Sequence, residues 1–156
     1  MLKNSCKIFF FLFFGCVSID QPDNNKIISS NVHVDISLKE KIAQMIMIRS
    51  NGKFLNESNW RKEHIENLII NYKIGGIITF GGSTHGTFYN VKRFQSLSKI
   101  PLFVAADYER GLGTFIEGTL FPTNMAIAAT GDHNFAYKQG QVIAKEAKAV
   151  GVNMIF

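Results

Sequence analysis

The run Leu102-Phe103-Val104-Ala105-Ala106 constrains the fold more than any other part of the chain. Pro101 precedes it and the charged stretch Asp107-Tyr108-Glu109-Arg110 follows it. An unbroken apolar run with such borders reads as a strand buried on both faces, which is the mark of a parallel sheet. In parallel α/β folds the functional groups collect at the carboxyl ends of strands, where Asp107 stands. A second apolar run begins at Val152 and reaches Phe156, so a further strand is expected there.

Between these strands the periodicity turns helical. Ser37 with Glu40 three residues on predicts a capping box, and Leu38, Ile42 and Met45 fall on one helical face. A strand is expected from Met47. Trp60–Tyr72 predicts an amphipathic helix with Ile65, Leu68, Ile69 and Tyr72 inward, and Ile74–Phe80 a second strand. Gly81–Gly86 reads as a strand-to-helix turn without the lysine of a phosphate-binding loop. Tyr89–Ser98 predicts a helix with Val91, Phe94 and Leu97 inward. His133–Val150 predicts a long one, with Phe135, Tyr137, Val142, Ile143 and Ala147 near its buried stripe and Gly151 closing it. The order β-α-β-α-β-loop-α-β defines an α/β fold, and periodicity leaves a barrel and an open doubly wound sheet equally open.

The N-terminus carries Lys3 and Lys7, then the apolar run Ile8–Phe14, then Gly15-Cys16. This is the plan of a secretory signal too short for a stable membrane-spanning helix. Its Gly-Cys ending resembles a bacterial lipobox, with Phe13 where Leu is usual. Residues 1–15 are therefore expected to be a lipoprotein-type signal peptide, Cys16 the lipidated residue, and 16–35 a polar tether. The folded domain is expected over 36–156, exported and lipid-anchored at a bacterial envelope. The net charge of +5 is modest and no basic patch is interleaved with aromatics, which argues against nucleic acid as a partner. Cys6 and Cys16 are the only cysteines, so no cysteine-based metal site is available. His33, His64, His85 and His133 are scattered, without metal-ligand spacing.

Four segments, taken together, resemble the N-terminal barrel domain of glycoside hydrolase family 3: Leu38–Met45, Ile74–Ile78, Pro101–Gly111 and Phe121–Asp132. Ile143–Asn153 is a weaker fifth. The resemblance implies that the chain is the N-terminal part of a (β/α)8 TIM-type barrel, incomplete because such a barrel takes about 250 residues. It further implies retaining hydrolysis through a covalent glycosyl-enzyme intermediate, with neither metal nor organic cofactor. Within the family the likeness is to β-N-acetylhexosaminidases, with β-glucosidases as the alternative. The substrate class so implied is a β-glycoside, of peptidoglycan or chitin origin among the candidates. A non-catalytic sugar-binding lipoprotein is the reading from a different class.

By the resemblance, Asp107 matches an aspartate that holds sugar hydroxyls in the innermost subsite. Many N-acetylglucosaminidases of the family place an arginine eight residues after it, where this chain has Phe115. Arg110, standing where the common pattern has glycine, is a candidate replacement cation. Glu109 and His85 are further candidate contacts. On an extended strand Asp107 and Glu109 would face the same way about 6–7 Å apart, near the spacing of a glycosidase carboxylate pair. The family's nucleophile, its Lys-His motif and its acid/base have no matching position before Phe156. The chain alone is thus expected not to hydrolyse glycosides.

Overall fold

The computed structural model describes residues 36–156. The expected signal peptide, Cys16 and the tether lie outside the described residues. Four parallel strands form one sheet in the order β1-β2-β3-β4: β1 Met47–Gly52, β2 Gly76–Gly82, β3 Phe103–Ala106 and β4 Met154–Ile155. Each new strand is added on the same side of the last. With right-handed crossovers, that succession puts the connecting helices on one face of the sheet, as in a barrel; a doubly wound sheet reverses direction.

Helix α1 (Leu38–Gln44) begins with the expected capping box. The Glu40 N–H donates to Ser37 Oγ at 3.3 Å, and the Ser37 N–H donates to Glu40 Oε2 at 2.8 Å. Its apolar face turns away from the sheet. Leu38, Ile42 and Met45 are 73%, 53% and 85% exposed, and Ala43 is the buried residue. The cause is the docking of the helix end through its backbone. The Gly75 N–H donates to Ala43 C=O at 3.0 Å, and a Cβ on Gly75 would lie 1.9 Å from Gln44 O. Gln44 Nε2 also donates to Lys73 C=O at 2.6 Å. This close approach turns the long side chains away from the sheet.

Helix α2 (Trp60–Asn67) starts at Asn59, whose Oδ1 accepts from the Arg61 N–H at 3.0 Å. A π-helical turn, Leu68–Tyr72, continues it. Ile65 and Ile69 are buried as expected, but the wider turn rotates Tyr72 outward, 48% exposed. β2 begins two residues later than expected and runs through Gly82. Helix α3 (Thr84–Leu97) then starts five residues earlier than expected, because Ser83 caps it by accepting the Gly86 N–H at 3.0 Å. The Gly81–Gly86 stretch is therefore a strand end and a helical first turn, and His85 lies in that turn.

Two short elements were not expected: a 3₁₀ turn at Leu112–Thr114 and helix α4 (Asn124–Ala129), capped by Thr123. Helix α5 (His133–Ala149) buries Gln139, Ile143 and Ala147, a stripe at four-residue spacing. Phe135, Tyr137 and Val142, expected inward, are exposed. Tyr137 and Val142 flank the stripe, and Phe135 sits in the helix's first turn. The helix closes in a Schellman motif around Gly151 (φ +85°). The Val152 N–H donates to Ala147 C=O at 2.9 Å and the Gly151 N–H to Lys148 C=O at 3.1 Å. The core between sheet and helices gathers Ile65, Ile69, Ile77, Val91, Phe94, Val104, Tyr108, Ile143 and Val152, among others.

Candidate functional site

β3 positions the first candidate residue. Its buried side chains Val104 and Ala106 join the core on the helix-covered face. Asp107 follows in the alternation of Phe103 and Ala105, on the other face, and is half-buried at the carboxyl end of the strand. Tyr108 turns back into the core, 2% exposed, and burial pushes its phenol up to about 12.

The chain then bends sharply, with the Gly111 N–H donating to Tyr108 C=O at 2.9 Å. Glu109 lies in this turn, so the strand geometry that would have paired it with Asp107 ends before it. Its backbone carbonyl accepts from Gln139 Nε2 of α5 at 3.1 Å. Its side chain borders an open cleft of about 690 Å³ shared with Asn124, His133, Gln139 and Phe156. Arg110 is held elsewhere. Its Nε donates to Phe121 C=O at 3.2 Å, while the Phe121 N–H donates to Arg110 C=O at 2.8 Å. The guanidinium thereby closes the base of a loop running from Arg110 to Phe121, with Phe115 part-exposed within it.

Two carboxylates that local patterns do not reveal fasten this loop. Glu117 accepts the Thr84 N–H at 2.6 Å and the Thr84 hydroxyl at 2.7 Å, so it sits on the N-terminus of α3. These hydrogen bonds, with a smaller contribution from nearby His85, hold the Glu117 carboxyl down at about 2. Glu146 of α5 accepts the Thr119 hydroxyl at 2.6 Å and the Thr119 N–H at 3.1 Å. Each contact joins residues about thirty apart in the chain, so no short motif could have announced them. Glu109 and Arg110 thus share the turn that follows Asp107. His85 approaches the same loop through Glu117. Among the described residues, no cluster of three or more His, Cys, Asp or Glu is placed to hold a metal ion.

Residues 37–156 match the profile of the glycosyl hydrolase family 3 N-terminal domain. The chain belongs to glycoside hydrolase family 3. Relatives in the family include a beta-N-acetylglucosaminidase/beta-glucosidase of Cellulomonas fimi. It is 32% identical over 95 residues, covering 60% of this chain and 17% of that protein. Beta-hexosaminidase A of Pseudoalteromonas piscicida is 35% identical over 107 residues, 59% of this chain and 18% of that protein. Among solved structures, a beta-glucoside phosphorylase, BglX, bound to 2FGlc superposes with a TM-score of 0.66 at 29% identity. The match covers 79% of this chain and 22% of that one. The chain spans under a fifth of the length of the two curated relatives. The four-stranded parallel sheet is accordingly part of the family 3 TIM-type barrel. Its helix-free face is the barrel interior, and Asp107 stands at the barrel's carboxyl-end mouth.

Proposed function

We propose that this chain is the sugar-holding part of a family 3 glycosidase that removes terminal β-linked N-acetylhexosamine residues with retention. Asp107 carries the reading, as a half-buried carboxylate at the carboxyl end of a barrel strand. Such a carboxylate accepts two hydroxyl hydrogen bonds at once, and charged acceptors make the stronger ones. Both curated relatives bear hexosaminidase-type names, one of them together with a beta-glucosidase name. Arg110 shapes the loop that follows Asp107 through its bond to Phe121, and Glu109 and His85 are further candidate contacts.

A second reading is a glucoside-specific member. It is favoured by Phe115, which is uncharged where the resemblance gives N-acetylglucosaminidases an arginine, and by the beta-glucoside name of the superposed structure. We propose further that the protein is exported and held at a bacterial envelope through a lipid on Cys16. A Cys16→Ser variant that still partitions with membranes overturns that anchor.

The deciding assay compares kcat/KM of the complete gene product on chromogenic N-acetyl-β-glucosaminide and β-glucoside. A preference for the first supports the hexosaminidase reading, and the reverse supports the second. Asp107→Asn is expected to lower kcat/KM about a hundredfold or more on the preferred substrate, for two charge-assisted hydrogen bonds weakened. An unchanged value removes Asp107 from the subsite. Residues 1–156 alone are expected to leave both substrates uncleaved.

A further inference from the structure

The barrel-interior face of the sheet is laid out in rows across the strands. Met47, Gly76 and Phe103 form the row at the amino end. A Cβ added to Gly76 would meet Met47 Cε at 2.9 Å and Phe103 Cβ at 3.1 Å, which places all three on this face. Arg49, Ile78, Ala105 and Met154 are in register in the next row. Asn51 and Phe80 pair in the third, and continuing the register of Thr79 with Ala106 by one residue sets Asp107 beside Phe80.

Arg49 is the anomaly in this pattern. The interior of a complete barrel of this kind is packed with side chains, whereas on this four-stranded sheet Arg49 is exposed. The three ion pairs among the described residues join Lys62 with Glu57, Lys73 with Glu40 and Arg93 with Glu66, so Arg49 and Asp107 are in none of them. The side chain of Arg49 instead leans toward the carboxyl end. Its Cζ lies 5.0 Å from the centroid of the Phe80 ring, a residue one row nearer the barrel mouth. A row is about 6–7 Å, which the arginine stem spans. The cation–π contact holds the guanidinium over the ring, and among the described residues no hydrogen bond or ion pair takes up its N–H groups. Cation, aromatic ring and carboxylate therefore converge on the uncovered face at one level.

We propose that Arg49 is a substrate contact in the subsite of Asp107, donating to a sugar oxygen while Asp107 accepts from sugar hydroxyls. The inference rests on the assignment of Asp107 to sugar binding. Donor and acceptor from the strands flanking that of Phe80 suit a polyhydroxylated ring with both hydroxyl hydrogens and acceptor oxygens. The acceptor oxygen is the N-acyl carbonyl in an N-acetylhexosamine and a ring hydroxyl in a glucose.

The test uses the complete gene product with N-acetylglucosamine and glucose as titrated ligands. Arg49→Met keeps an aliphatic stem over Phe80 and removes the fork; Arg49→Lys keeps the charge without the fork. Arg49→Met is expected to weaken binding of the sugar the enzyme prefers at least about tenfold, the range of a hydrogen bond to a charged group. KM should rise in step, with the thermal midpoint little changed. Arg49→Lys should fall between. A loss on N-acetylglucosamine alone assigns the donor to the acyl oxygen, and an equal loss on both sugars assigns it to a hydroxyl; either supports the contact.

A folded Arg49→Met protein that binds both sugars as the parent does overturns the contact. If Arg49→Met fails to fold, Arg49→Lys decides, with unchanged binding again overturning it. Asp107→Asn, titrated alongside, separates the two levels. Full binding by that variant fails the subsite itself. Lost binding there with intact binding in Arg49→Met fails only the arginine.

Discussion

Val104 and Asn153 hold each other through two reciprocal hydrogen bonds, although Asn153 precedes the last strand. The Val104 N–H donates to Asn153 Oδ1 at 2.8 Å, and the Asn153 N–H donates to Val104 C=O at 2.9 Å. Asn153 Nδ2 also reaches Leu102 C=O at 3.2 Å. A side chain thus extends the β3–β4 ladder by one rung and sets the register Ala105 with Met154. Asn153→Ala leaves the N–H of a fully buried residue without a partner. It is expected to destabilise the protein by about 1–3 kcal/mol in chemical denaturation. Asn153→Asp keeps the acceptor and should lose less.

Thr87 presents the opposite case. It is 1% exposed and its hydroxyl is buried without a hydrogen-bond partner. Thr87→Val replaces that hydroxyl by a methyl of similar shape. The variant is expected to be more stable by about 1–2 kcal/mol, the desolvation cost recovered. A loss of stability would show that the hydroxyl is satisfied in solution.

Acid should act on the loop latch. Glu117, through Thr84, and Glu40, through Lys73 and Ser37, both have carboxyls pushed down to about 2 from the ordinary 4.5. A carboxyl lowered on folding adds stability that is complete above 4.5 and disappears as pH falls from there through about 2. Glu117→Gln should flatten that acid limb and be less stable than the parent at neutral pH. Denaturation midpoints across the acid range check both.

Alkali should act on Tyr108. Its phenol is raised by burial from 10 to about 12, so folding favours the protonated form. The corresponding stability is whole below 10 and drains away as pH rises through about 12. Spectrophotometric titration of the native protein should show one late-ionising tyrosine, absent in Tyr108→Phe.

Local signals in the chain carried much of the architecture. Ser37 with Glu40, the apolar run ending at Ala106 and Gly151 after a helical stripe are interactions within a few residues. Sequence spacing is sufficient to read them. The parallel α/β class followed from those, and so did Asp107 at a strand's carboxyl end. Ser83 was equally local, yet the glycines around it masked a helix start.

Other features depended on residues far apart in the chain. Leu38, Ile42 and Met45 have a helical period, but the backbone contact at Gly75 decides which way that face turns. Glu109 leaves the strand alternation because a turn closes on Gly111, and Arg110 is drawn to Phe121. Thr84 with Glu117, Thr119 with Glu146, and Arg49 beside the row of Phe80 and Asp107 arise from sheet register and loop docking. The sequence by itself determined most of the elements and the strand end where Asp107 stands. The tertiary structure alone decided which charges meet there, because hydrogen bonds and ring stacking act over a few ångströms of space whatever the separation along the chain.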